Sequence, residues 1–101
     1  MAEALIAEID ATIASNKIVV YSKTYCPHAG ATKQLFSSKG VEFKCIELDQ
    51  VPNGGDIQNA LQQKTGQRTV PNVFIGGDHI GGNSDVQQLN SSGQLDAKIA
   101  A

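Results

Sequence analysis

The sequence predicts an α/β fold, a three-layer sandwich with a four-stranded mixed sheet flanked by helices. Three observations carry this. A β-branched run, an amphipathic segment and a second apolar run follow one another in the first half, the order of a βαβ unit. A Gly76-Gly77 pair separates two further short runs, as a tight hairpin does. Helical patterns stand before, between and after these strands, enough to cover both faces of a sheet.

In order along the chain, Leu5, Ile6, Ile9 and Ile13 recur at helical spacing, and the pattern stops near Ser15-Asn16. Ile18-Val19-Val20-Tyr21-Ser22 reads as a buried strand. Pro27 stands where a first helical residue is expected, and this helix runs through Leu35 and Phe36 to a stop at Lys39-Gly40. Residues 41–48 form a second strand carrying Val41, Phe43, Cys45, Ile46 and Leu48, parallel to the first through a right-handed crossover. Pro52-Asn53-Gly54-Gly55 is a turn, and Asp56 is expected to cap a third helix that turns Ile57, Ala60 and Leu61 inward and ends at Gly66. Val73-Phe74-Ile75 and His79-Ile80 are the hairpin strands. Asn83 or Ser84 is expected to cap one last helix containing Val86 and Leu89.

Composition excludes several function classes. The 101 residues amount to a single domain, 1–101, and 41% apolar with 18% charged residues suits a folded, soluble chain. A net charge of −2 leaves no basic excess to neutralise phosphates, so no nucleic-acid partner is expected. The longest purely apolar run, Ile18-Val19-Val20-Tyr21, is far shorter than the ~20 residues of a membrane helix, so no membrane partner is expected either. The first residues show no basic or Arg-rich leader, which makes the cytoplasm the expected compartment, and a monomer is the default expectation. Cys26 and Cys45 are too few for a disulfide scaffold, and with His28 and His79 they make no metal-ligand spacing.

Reactivity is therefore the stronger reason for a cysteine here. Cys26 follows the first strand and precedes Pro27, which puts it at the C-terminal edge of the sheet and at a helix N-terminus. Free N–H groups and the helix dipole favour the thiolate there, and Lys23 adds positive charge three residues upstream. The effect matters because an ordinary thiol is only about 3% thiolate at pH 7. Cys45 sits mid-strand among apolar residues and reads as an inert, buried thiol. A Cys26–Cys45 bridge is not expected, because one lies at the sheet edge and the other inside a neighbouring strand.

At Tyr21-Ser22-Lys23-Thr24-Tyr25-Cys26-Pro27 the chain resembles the glutaredoxin family. Thr69-Val70-Pro71-Asn72-Val73-Phe74-Ile75 and Gly81-Gly82-Asn83-Ser84-Asp85 extend the resemblance in family order over essentially the whole chain. It implies the thioredoxin-like fold, glutathione as co-substrate, and thiol–disulfide exchange. It also implies a glutathione site. Lys23 would meet the glycyl carboxylate, with Gln58 helping at the same end. Thr69, Val70 and a cis Pro71 would form the segment in which Val70, the residue before the proline, pairs its backbone with the cysteinyl part as an added strand does. Gly82, Asn83, Ser84 and Asp85 would hold the γ-glutamyl end. The residue chemistry agrees with that mapping: amides of Asn83 and Ser84 at a helix start suit a carboxylate, and Asp85 suits an ammonium. His28 would flank the glutathione, and a charge on its ring would favour the Cys26 thiolate.

The chain departs from the dithiol members of the family at one position. They carry a second cysteine three residues after the first, and here Ala29 stands there, either natural to the chain or introduced in place of a resolving cysteine. The expected activity is therefore reduction of glutathione mixed disulfides by a monothiol route through Cys26, on glutathionylated proteins or small mixed disulfides, with glutathione reductase engaged indirectly. The alternative is a dimer binding a glutathione-ligated [2Fe–2S] cluster through Cys26. Pro27 argues against it, because the family's cluster binders mostly lack this proline.

Overall fold

A computed structural model describes residues 2–101, and the elements it contains follow from the apolar pattern with a few displacements. Helix α1 (Ala2–Ser15) is followed by strand β1 (Ile18–Ser22), α2 (Pro27–Ser38), β2 (Lys44–Glu47), α3 (Gly54–Thr65), β3 (Asn72–Ile75), β4 (Asp78–Gly81), α4 (Asn83–Ser91) and α5 (Gln94–Ala100). The sheet order is β2-β1-β3-β4, with β1 and β2 parallel and the other neighbours antiparallel. This is the four-stranded mixed sheet flanked by helices that the sequence predicts. No helix among the described residues is long and apolar enough to cross a membrane.

Strand alternation sorts the core into two halves. Val19, Tyr21 and Phe74 point to the face covered by α1 and α3, where they meet Ile9, Ile13, Ile57, Ala60 and Leu61. Ile18, Val20, Val73 and Ile75 point to the other face, against Phe36 of α2, Val86 of α4 and Leu95 of α5. Every residue of β1 is buried, because helices cover both of its faces and strands pair with both of its edges. The hairpin between β3 and β4 turns at Gly76 and Gly77, whose φ angles of 59° and 85° are both left-handed, as a two-residue primed turn requires.

Four sequence expectations are displaced. Strand β2 covers Lys44–Glu47 rather than 41–48, because β1 offers partners only from Val19↔Lys44 onward, and the Val41 N–H turns back to the Phe36 carbonyl. Helix α3 starts at Gly54 with Asn53 as N-cap, so Asp56 lies within the first turn rather than capping it. Helix α4 is capped by Gly82, not by Asn83 or Ser84. Asp85 supplies half of a capping box through the Gly82 N–H at 2.9 Å, and a glycine has no side chain to return the second bond. The single last helix is two helices parted at Gly93, and Leu95 of α5 is completely buried beneath α2 and α4.

Gly54 is required by a close approach. A Cβ there would stand 1.7 Å from the Leu48 carbonyl oxygen, whereas one on Gly55 meets nothing within 4 Å. Gly54→Ala is expected to destabilise the fold by about 2 kcal/mol or more through backbone displacement, and Gly55→Ala to stabilise it by about 0.5–1 kcal/mol through helix propensity. Urea unfolding of both variants measures the pair, and equal effects would remove the steric account.

Candidate active site

Cys26 stands where β1 ends and α2 begins. It is the N-cap of α2 in extended backbone, with Pro27 at the first helical position. Its N–H bonds to the Lys23 carbonyl at 3.1 Å, closing a tight turn, and its carbonyl accepts from the Gly30 N–H at 2.9 Å. Pro27 has no N–H, and the amides of His28 and Ala29, lying in the first turn, have no acceptors inside the helix. Cys26 is half-buried and unbridged, and Tyr25 beside it is 71% exposed. Ala29 is fully buried within α2 and offers no second nucleophile.

The segment before β3 forms the facing wall. The Val70–Pro71 peptide bond is cis. The Val70 carbonyl oxygen lies 3.7 Å from Cys26 Sγ, a thiol hydrogen bond across the site. A third wall is the start of α4, where Asn83 accepts from Thr32 Oγ1 of α2 at 2.8 Å and from Gln87 Nε2 at 3.2 Å. The first bond ties the start of α4 to the middle of α2, and the second holds the Asn83 side chain within α4. Between the walls runs an open groove of about 420 Å³ lined by His28, Thr69, Val70, Pro71, Gly82, Asn83 and Ser84.

Most residues singled out from the sequence thus meet at one place. Cys26 reaches the groove wall through Val70, and Asp85 stands behind it, with one carboxylate oxygen already engaged by the Gly82 N–H. Lys23 and Gln58 lie outside the lining. Lys23 is half-buried in the turn before Cys26, and Gln58 gives one amide N–H to the Arg68 carbonyl at 2.8 Å. His79 is no part of the groove wall. Its Nε2 bonds Asn72 Oδ1 at 2.9 Å, its ring packs 5.3 Å from Phe74, and burial holds its pKa below the ordinary value.

Sequence reasoning missed Asp49. The parallel register pairs Ser22 with Glu47, so two residues further on Thr24 falls opposite Asp49. The Asp49 carboxylate accepts the Thr24 N–H at 2.9 Å and also the Thr24 hydroxyl. Those bonds, the hydroxyl foremost, hold the Asp49 pKa down to about 2. The turn carrying Cys26 is thereby fastened to the end of β2. The signal was present in the sequence, since a βαβ unit brings the ends of its two strands to the same sheet edge.

Cys45 is half-buried on β2 rather than buried as expected, and it has a partner the sequence did not reveal. Its thiol donates to Glu47 Oε2 at 3.3 Å, and the same oxygen is held by Lys33 Nζ at 2.7 Å. Burial first, and then the Glu47 carboxylate, push the Cys45 pKa up to about 11.

A single free cysteine on a helix start, facing a cis-proline turn at the edge of such a sheet, defines the class of thioredoxin-like thiol–disulfide proteins. The comparisons narrow the class. The glutaredoxin family model matches residues 18–80. A glutaredoxin of Vernicia fordii is 53% identical over 83 residues, covering 82% of this chain and 80% of that protein. The chloroplastic monothiol glutaredoxin-S12 of Arabidopsis thaliana is 52% identical over 93 residues, covering 91% of this chain and 52% of that protein. The crystal structure of a buckwheat glutaredoxin–glutathione complex superposes with a TM-score of 0.95 at 44% identity, covering 98% of this chain and 90% of that one. The chain belongs to the glutaredoxin family, whose members are glutathione-dependent oxidoreductases with glutathione as co-substrate.

Two outcomes follow from the electrostatics. With its pKa near 11, Cys45 is about one part in ten thousand thiolate at pH 7, so iodoacetamide should alkylate it at least about 100-fold more slowly than a free thiol. Glu47→Gln should speed that reaction, as peptide mapping of the time course reports. Asp49, with a pKa lowered in the folded chain, contributes stability that is complete above its ordinary value of 3.8 and lost as pH falls through about 2. Asp49→Ala should therefore lower the urea midpoint at pH 6 and converge on the parent protein near pH 2. A gap independent of pH would mean the carboxylate charge contributes nothing.

Proposed function

We propose that this protein reduces glutathione mixed disulfides by a monothiol mechanism through Cys26. The observation that carries the reading is the position of Cys26 Sγ at the start of α2, across from the Val70 carbonyl on the groove wall, with Ala29 in place of any second thiol. The Cys26 thiolate attacks the glutathionyl sulfur of the mixed disulfide, the old S–S bond breaks, and the substrate leaves as its thiolate. The enzyme then carries glutathione on Cys26. A second glutathione, as thiolate, attacks that adduct, giving glutathione disulfide and the free Cys26 thiolate. Each step exchanges one S–S bond for another, so a single enzymic cysteine suffices.

The groove supplies the recognition. Val70, within the Thr69-Val70-Pro71 wall, offers its backbone to the cysteinyl residue of glutathione, as an added strand would find it. The amides of Asn83 and Ser84 at the start of α4 suit the γ-glutamyl carboxylate, aided by the open backbone at Gly82, and Asp85 keeps a carboxylate oxygen for the ammonium. Lys23 faces the glycyl carboxylate, with the remaining amide N–H of Gln58 at the same end. His28 flanks the ligand from the first turn of α2. Recognition centred on glutathione leaves the carrier free to vary, and the exposed Tyr25 is the surface such a carrier meets first. The reaction needs a glutathione supply, and we place it in the cytoplasm, with a monomer as the working state.

Mixing the protein with glutathione disulfide should add one glutathione, mapped to Cys26 by peptide mass spectrometry. Cys26→Ser should abolish turnover of a small glutathione mixed disulfide, a loss of about 1000-fold or more, whereas Cys45→Ser should change it less than about twofold. An adduct on Cys45, or none at all, would end this reading. A coloured dimer after anaerobic iron–sulfide reconstitution would support the [2Fe–2S] alternative, which no observation here favours.

A further inference from the structure

Gln67 occupies a place that the reaction as described does not use. It lies between the end of α3 and the groove wall, and its side-chain amide donates to two carbonyls at once, Thr69 at 3.0 Å and Pro71 at 3.0 Å. These are the residues on either side of Val70. The Val70 carbonyl is turned the other way, toward Cys26 Sγ. Among the described residues the Val70 N–H has no acceptor within the chain, and Val70 lines the groove.

The bracket stands on fixed supports. The Gln67 N–H bonds Thr65 Oγ1 at 3.0 Å, and that hydroxyl donates to the Leu61 carbonyl within α3 at 2.8 Å. The Gln67 carbonyl accepts from Nδ2 of Asn72 at 3.4 Å, a buried polar side chain whose Oδ1 meets His79 of β4. A planar amide with two N–H donors is suited to this task, since one group engages both flanking carbonyls and leaves the Val70 N–H free, with the Val70 carbonyl facing the Cys26 thiol.

We infer that Gln67 is a positioning residue for glutathione: by holding the Thr69 and Pro71 carbonyls inward it presents the Val70 N–H and C=O as the backbone pair that receives the cysteinyl residue. This rests on the glutathione reading above and deepens it. Gln67 stands outside the groove lining and bonds neither Cys26 nor its turn, so its effect belongs to recognition and not to the intrinsic reactivity of Cys26.

The test uses two variants of the full chain. Gln67→Met keeps the length and removes both donors, and Gln67→Glu keeps the shape but sets a carboxylate against two carbonyl oxygens. For a small glutathione mixed disulfide, kcat/KM should fall about tenfold in Gln67→Met and further in Gln67→Glu, with the loss mainly in KM. Iodoacetamide alkylation of Cys26 should stay within about twofold of the parent rate. In the parent protein glutathionylated on Cys26, the Val70 amide should be protected from hydrogen exchange, and this needs no variant. Unchanged kcat/KM in both variants, a parallel fall in Cys26 alkylation, or an unprotected Val70 amide in the adduct would each overturn the inference. A parent protein that takes up no glutathione on Cys26 fails earlier and defeats the glutathione reading itself.

Discussion

Strand β1 is paired on both edges and covered on both faces, so its C-terminal end moves only with the sheet. The turn that carries Cys26 is hung from that end. The turn that follows is closed by the Cys26 N–H on Lys23 and fastened to β2 through Thr24 and Asp49. Cys26 therefore enters α2 in a fixed orientation, and its sulfur reaches the Val70 carbonyl on the far wall. Loosening the sheet edge would blur all three relations together, because none of them is internal to a single element.

The groove shows how little chemistry the walls need beyond backbone. Val70 contributes peptide groups, and Gly82, Asn83 and Ser84 contribute the first turn of a helix. Side chains act mainly to aim those groups: Asn83 is locked by Thr32 and Gln87, Asp85 caps Gly82, and Gln67 gathers the carbonyls beside Val70. A ligand that is itself a short peptide is matched by such a surface, since peptide groups recognise peptide groups without regard to what else the ligand carries.

The two cysteines share one side-chain chemistry and differ only in surroundings. Cys26 sits half-buried at a helix start with unspent amides ahead of it. Cys45, equally half-buried, lies on β2 with its proton held by Glu47, and Glu47 is itself held by Lys33. A carboxylate beside a thiol opposes ionisation, so Glu47 adds to burial in holding the proton on Cys45.

The amino-acid sequence by itself determined the βαβ-hairpin order, the place of Cys26 before Pro27, the Gly76-Gly77 turn and the apolar sets that meet in the core, because these rest on local periodicity and on residues with narrow backbone preferences. It also held the motifs that gather at the groove. It misplaced the caps at Asp56 and at Asn83 or Ser84, since a side chain able to cap does so only where the chain actually bends, and a close approach such as Gly54 against Leu48 decides that bend. It passed over the break at Gly93, because Leu95 is bound into the core from across α2 and α4 and not by its own neighbours in sequence. Asp49, the Glu47–Lys33 hold on Cys45 and the Gln67 bracket were decided only by the tertiary structure. Each joins residues from separate elements, and their distances are set by strand register and helix placement, which no local pattern encodes.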